Sequence, residues 1–242
     1  MTLTDEAKHP VIFLHLQKTG GTTVEHLLRS WFRDRNFASR DRTGKIAVDV
    51  LRGSDMILSG HFLASELPPI ADDAIVTTVL REPVERLLSH CYFLKSYTED
   101  HLAGFGDSFL LEVKRTPLAE LVASEVFAHR FGDFYVRKLD PKYQWEQPRS
   151  LASPQRALRF LERCNVIGIT NRLDDYIHRL MRKLQVPEEA EIPRLNARSD
   201  IARLEGFEAV ERESLDEHTI ETIEALLARD RKLYNCALAM VV

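Results

Sequence analysis

Short, wholly apolar runs alternate along this chain with stretches whose apolar residues recur every three or four positions. "VIFLHL" (11–16), "DMILSGHF" (55–62), "AIVTTVLR" (74–81) and "NVIGI" (165–169) lack the in–out alternation of a half-exposed strand. They predict strands buried on both faces. "TTVEHLLRSWF" (22–32) sets Leu27, Leu28, Trp31 and Phe32 beside Val24 in one helical stripe. Pro83 sits at a first helical position and opens "PVERLLSHCYFLKSY", with Leu87, Leu88, Cys91 and Leu94 facing inward. Thr116 and Ser153, each before a proline, predict two more helix caps. "RLDDYIHRLMRKL" predicts a helix after the fourth strand, and "SLDE" (214–217) predicts a capping box leading into one long C-terminal helix. Strand and helix alternate, so the pattern predicts an α/β domain whose parallel sheet is covered by helices.

Composition changes this picture little. The 242 residues are 44% hydrophobic and 29% charged, with a net charge of −4. That balance suits one globular domain and gives no global reason to expect nucleic acid. The apolar runs are too short to span a bilayer. "MTLTDEAKHP" has no basic region followed by an apolar core, so it does not read as a signal peptide. Three widely spaced cysteines, Cys91, Cys164 and Cys236, fit neither a disulfide framework nor a zinc site. A cytoplasmic protein with reduced thiols and no integral membrane segment is the expectation. Charge is uneven, however. Residues 129–163 hold eight Lys/Arg against four acids, a net +4 that leaves −8 elsewhere. This segment predicts either a solvated basic face or a surface that meets an acidic substrate.

Ligands on parallel sheets sit at the carboxyl ends of the strands. Three polar segments fall there: 17–23, 60–62 and 81–89. In "QKTGGTT", Gly20 and Gly21 make a turn, Thr22 and Thr23 begin a helix, and Lys18 adds a full charge. Unpaired amides at a helix start, with glycines that allow close approach, suit a phosphate. A simple glycine turn with a solvated lysine is the plainer alternative. The stretch does not match the Walker A spacing G-x-x-x-x-G-K-[ST]. The third strand ends in Arg81 rather than in a magnesium-binding aspartate.

"VIFLHLQKTGGTT" resembles the 5′-phosphosulfate loop of PAPS-dependent sulfotransferases (PAPS is 3′-phosphoadenosine 5′-phosphosulfate). It is most similar to the carbohydrate type that includes the heparan sulfate 2-O- and 6-O-sulfotransferases. Gln17, where many relatives have proline, is like the 6-O enzymes. "VLREPVERLLSHCYF" is similar to that family's 3′-phosphate motif, with Arg81 and Ser89 in the arginine and serine places. Weaker similarity runs through "VIGITNRLDD" and "DRKLYNCA". The resemblance implies a P-loop-like three-layer α/β fold with a central parallel sheet flanked by helices, formed by residues 1–242 as one sulfotransferase domain. It implies PAPS as co-substrate and no metal. Gln17, Lys18, Thr19, Gly20, Gly21, Thr22, Thr23, Arg81 and Ser89 would bind the donor.

An acceptor hydroxyl needs a base that works near neutrality, and histidine is the usual one. Nine histidines are present. In "SGHF", His61 follows an apolar strand and should emerge at the crevice, in a context like that of the family's base. His61 and Lys18 are therefore the expected catalytic pair. A structural His61, and an Arg81 paired with Glu82 or Glu85, are the plainer alternatives. His15, inside the first strand, and His26 read as packing residues. The resemblance implies in-line sulfuryl transfer to a hydroxyl of a glycan or similar small hydroxylated acceptor. A P-loop-type kinase or a non-catalytic adenosine-bisphosphate binder are the other readings. Residues from about 95 to 160 are expected to form a helical, partly basic acceptor-side insertion. There Arg137, Lys138 and Lys142, interleaved with Tyr135, Tyr143 and Trp145, could hold an anionic sugar or simply lie on the surface.

Overall fold

The computed structural model describes residues 9–32, 36–40, 56–67, 72–187 and 204–241. The N-terminal residues 1–8, Asp55 and the stretch 188–203 lie outside them. Five parallel strands form one sheet: β1 (Val11–Leu14), β2 (Asn36–Arg40), β3 (Met56–Gly60), β4 (Ile75–Leu80) and β5 (Val166–Ile169), in the order β2-β3-β1-β4-β5. Strand residues alternate between two cores. Ile12, Leu14, Leu58, Val76 and Ile167 face one side, and Val11, Phe13, Ile57, Val79 and Val166 the other. Because helices cover both sides, neither set is polar, and the strands read as continuous apolar runs.

The second side is covered by α1 (Gly21–Trp31), and α2 (Pro83–Lys95) follows β4. Four short helices come next: α3 (Glu99–Ala103), α4 (Ser108–Arg115), α5 (Leu118–Val122) and α6 (Glu125–Phe131). They join Leu87, Cys91 and Leu94 of α2 in a separate helical core. The first side is covered by α7 (Phe134–Leu139) and α8 (Pro154–Glu162), and the second side again by α9 (Leu173–Lys183). Residues 95–160 thus serve two packing roles, the helical core up to α6 and the sheet cover from α7.

Several sequence expectations change. β2 reads as polar "NFASR" and was not expected; as an edge strand it needs no apolar run. The Ser153 hydroxyl does cap α8, accepting the Arg156 N–H at 3.3 Å. Thr116 does not cap α5, because it is held extended before Pro117; the Glu213 carboxylate accepts the Leu118 N–H instead, at 2.6 Å. The C-terminal helix is two helices, α10 (Glu217–Leu226) and α11 (Ala228–Met240), and Asp216 rather than Ser214 caps the first, accepting the Thr219 N–H at 2.8 Å.

Three arginines of the basic segment, Arg130, Arg149 and Arg156, pair with carboxylates. Asp140, fully buried, takes Nε and an Nη of Arg156 at 2.7 and 2.6 Å and the amides of Lys142 and Ser153 at 3.0 and 2.8 Å. Arg149 and Arg229 meet buried Asp133, and Arg130 meets Asp107. Asp140→Ala would leave a partly buried guanidinium and two amides without their acceptor. We expect it to destabilise the fold by about 3 kcal/mol, read as a lower urea midpoint. An unchanged midpoint would show that this cluster does not hold α8 in place.

Candidate active site

β1, β3 and β4 end side by side, with Leu14 paired to both Gly60 and Thr78. β3 and β4 flank β1; the chain leaves β1 toward the β2 edge of the sheet and leaves β4 toward the β5 edge. The three polar segments therefore open onto one crevice at the strand ends.

The first segment turns through left-handed backbone at Lys18 (φ 68°) and Gly20 (φ 88°). A tight loop then delivers the chain into α1, whose Thr23 N–H returns to the Gly20 carbonyl at 3.2 Å. Thr22 is exposed at the helix start and Thr23 is buried. Thr19 is turned inward: its hydroxyl donates to the Leu16 carbonyl at 2.8 Å, and its own carbonyl accepts from the Thr170 hydroxyl at 2.8 Å. Thr19 thus braces the loop against the end of β5. Gln17 has a buried Oε1 with no hydrogen-bond partner among the described residues. Lys18 Nζ lies 3.8 Å above the Phe93 ring of α2, which ties the loop to the helix carrying Ser89. Arg81 lies half-buried next to α2, and its Nε donates to Glu85 at 3.2 Å. The plainer ion-pair reading of Arg81 therefore holds in this state.

His61 follows β3 and is exposed on the crevice side. Its Nδ1 lies 2.6 Å from the His15 carbonyl oxygen. A carbonyl can only accept, so Nδ1 carries the proton and Nε2 is left with a lone pair. Burial of the packed part of the ring, with the charge of His15 next, lowers its pKa to about 4. The side chain is therefore neutral at physiological pH.

Sequence reading took His15 for a packing residue, and the structure makes it the hinge of the site. Its ring centroid lies 4.2 Å from that of His61, and its Nδ1 is 3.6 Å from the Glu25 carboxylate of α1. The His15 ring, against the opposing effect of burial, and then Arg29 hold Glu25 at about 2. A Cβ on Gly21 would fall 2.1 Å from the His15 ring. Gly21 is thus required by this ring, apart from any need to admit a phosphate. The signal was legible in principle: a histidine inside an apolar strand has to find a polar partner.

Two further groups were missed or underrated. His90, next to Ser89 on α2, has a buried Nδ1 with no partner among the described residues. Burial, then Arg86, Lys18, His61 and Lys138, lower its pKa to about 3. Arg86 is fully buried with its guanidinium 3.9 Å over the Phe134 ring. The Glu25 carboxylate is engaged by His15 and Arg29. Among the described residues no group of three or more His, Cys, Asp or Glu side chains could hold a metal ion.

A family model described as "Sulfotransferase family" matches residues 1–236. The chain belongs to the sulfotransferase family. No curated protein matches it.

Two predictions follow from this geometry. Gly21→Ala should destabilise the fold by about 2 kcal/mol through overpacking, seen as a lower thermal midpoint. Adding His15→Ala should restore part of the loss, since the struck ring is gone; additive losses would refute the contact. By NMR titration, His61 should stay neutral down to about pH 4. Its folded pKa lies below the unfolded value, so its contribution to stability is complete above about pH 6.5 and is lost as pH falls toward 4. A His61 midpoint near 6.5 would contradict the packing described.

Proposed function

We propose that this sulfotransferase moves a sulfuryl group from PAPS to a hydroxyl of a carbohydrate or similar acceptor, without a metal. The observation that carries the proposal is the His61 Nδ1–H bond to the His15 carbonyl. It leaves Nε2 of a neutral imidazole unprotonated at the end of β3, which pairs with the strand that leads into the Lys18 loop. His61 Nε2 takes the proton of the acceptor hydroxyl. The oxygen attacks sulfur in line, the bond from sulfur to the phosphate oxygen breaks, and adenosine 3′,5′-bisphosphate leaves. Lys18 neutralises the charge that grows on the leaving oxygen, which is where preorganised cations help most. A positioned base contributes about 10²–10⁴-fold. The low pKa of His61 keeps it unprotonated in the free enzyme, and the negative donor raises its basicity once bound.

On this reading, Gln17, Lys18, Gly20, Gly21 and Thr22 line the 5′ end of the donor, and Thr19 and Thr23 brace the loop from behind. Arg81 and Ser89 take the 3′-phosphate, with Arg81 exchanging Glu85 for phosphate. The "QKTGGTT" loop supports a place near the carbohydrate 6-O branch. One domain throughout, and a cytoplasmic location suggested by three free cysteines, belong to the same proposal. A kinase with a degenerate loop is not favoured, since β4 leads into Arg81 and the family is one of sulfuryl transfer.

Calorimetry and turnover with labelled PAPS test the reading together. Adenosine 3′,5′-bisphosphate should bind more tightly than ATP and keep its affinity in EDTA. His61→Ala should lose at least a hundredfold in turnover and keep its bisphosphate affinity, whereas Lys18→Ala should lose both. Magnesium-dependent ATP binding, or full turnover by the His61 variant, would overturn the assignment.

A further inference from the structure

The sequence set Tyr135, Arg137 and Lys138 together as candidate acceptor contacts, and all three are buried. Arg137 donates from Nε to the Tyr143 hydroxyl at 3.0 Å and from one Nη to the His129 carbonyl at 2.6 Å. It therefore holds the protein's own loops. Lys138 Nζ donates to the His61 carbonyl at 3.2 Å. The Tyr135 hydroxyl accepts the Arg81 N–H at 2.9 Å and donates to the Arg81 carbonyl at 2.6 Å. Tyr135 and Lys138 are three residues apart on α7, a spacing that puts side chains on one helix face. One short helix thus reaches two of the three segments at the strand ends, 60–62 and 81–89.

Both Tyr135 bonds go to a single residue. Across a strand ladder one partner can take the N–H and the C=O of the same residue. Arg81 lies one position beyond β4, and there a phenol oxygen takes both roles. Burial raises the Tyr135 pKa, so the hydroxyl keeps its proton and donates while it accepts. The helix that carries it is anchored in turn. The Val136 N–H donates to buried Asp230 of α11 at 3.0 Å, and the Arg86 guanidinium lies 3.9 Å over Phe134.

With its backbone gripped, Arg81 is left with its side-chain torsions alone. Its Nε donates to exposed Glu85 at 3.2 Å. An ion pair of that kind is weak, so an arriving phosphate can displace it. A guanidinium meets phosphate as a planar fork, and the backbone from which the fork springs sets where it points. We propose that Tyr135 is a positioning residue for the donor's 3′-phosphate, gripping the Arg81 backbone so that the guanidinium is aimed. The inference rests on the reading of Arg81 as the 3′-phosphate ligand given above. Tyr135 acts through Arg81 and not on the reacting atoms.

The test is calorimetric and compares adenosine 3′,5′-bisphosphate with adenosine 5′-monophosphate on the same preparation of each variant. The ratio of the two affinities isolates the 3′-phosphate, and a purely structural loss, weakening both ligands alike, leaves it unmoved. Tyr135→Phe removes the hydroxyl and keeps the ring; it should lower the ratio about tenfold. Arg81→Ala should lower it at least as far, and adding Tyr135→Phe to that variant should lower it no further. In the unmodified protein without ligand, the Arg81 amide should already be protected from hydrogen exchange, a measurement that needs no variant to fold. An unmoved ratio in Tyr135→Phe, a further tenfold fall in the double variant, or an Arg81 amide protected only once bisphosphate binds would overturn this assignment while Arg81→Ala still lowers the ratio. No bisphosphate binding by the unmodified protein, or a ratio that Arg81→Ala leaves unmoved, would instead sink the donor reading, and this inference with it.

Discussion

The site depends on one residue at the end of the central strand. The His15 backbone N–H donates to the Gly60 carbonyl at 3.0 Å and so carries the β1–β3 pairing one step beyond the strands. Its carbonyl fixes the tautomer of His61, and its ring fills the space that Gly21 leaves open. Its Nδ1 faces Glu25, which Arg29 grips in turn at 2.9 Å. Base, loop and first helix are therefore set by a single imidazole wedged among them. The His15 amide and carbonyl bonds, at 3.0 and 2.6 Å, are short and directional and fix the His61 ring against β1.

Charge is arranged with the same economy. Arginines that look like a binding surface in the sequence are largely spent on buried carboxylates and carbonyls. Lys18 and Arg81 follow β1 and β4, whereas Arg86 and Lys138 are buried. Burial first, and neighbouring positive groups after it, lower the pKa values of His61 and His90.

Much of this was legible in the chain. Runs buried on both faces read as parallel strands because helices cover both sides of the sheet, and four of the five strands announce themselves that way. The fifth, β2, lies at an edge where polar residues are tolerated, so its pattern carries little signal. Pro83 and Ser153 mark helix starts because ring geometry and a short hydroxyl act locally. Thr116 and Ser214 failed as caps because long-range or neighbouring carboxylates, Glu213 and Asp216, reached the amides first.

The sequence by itself determined four of the five strands, the helices that alternate with them and the three segments at the strand ends, through local periodicity; the family was legible through the resemblance of two motifs. Tertiary structure alone decided the rest: that His15 orients His61, that Thr19 faces inward, and that Arg137 and Lys138 are buried. Those facts depend on which side chains meet across distances of tens of residues. Burial and pairing set a charged group's role, and neither is written in the order of the residues.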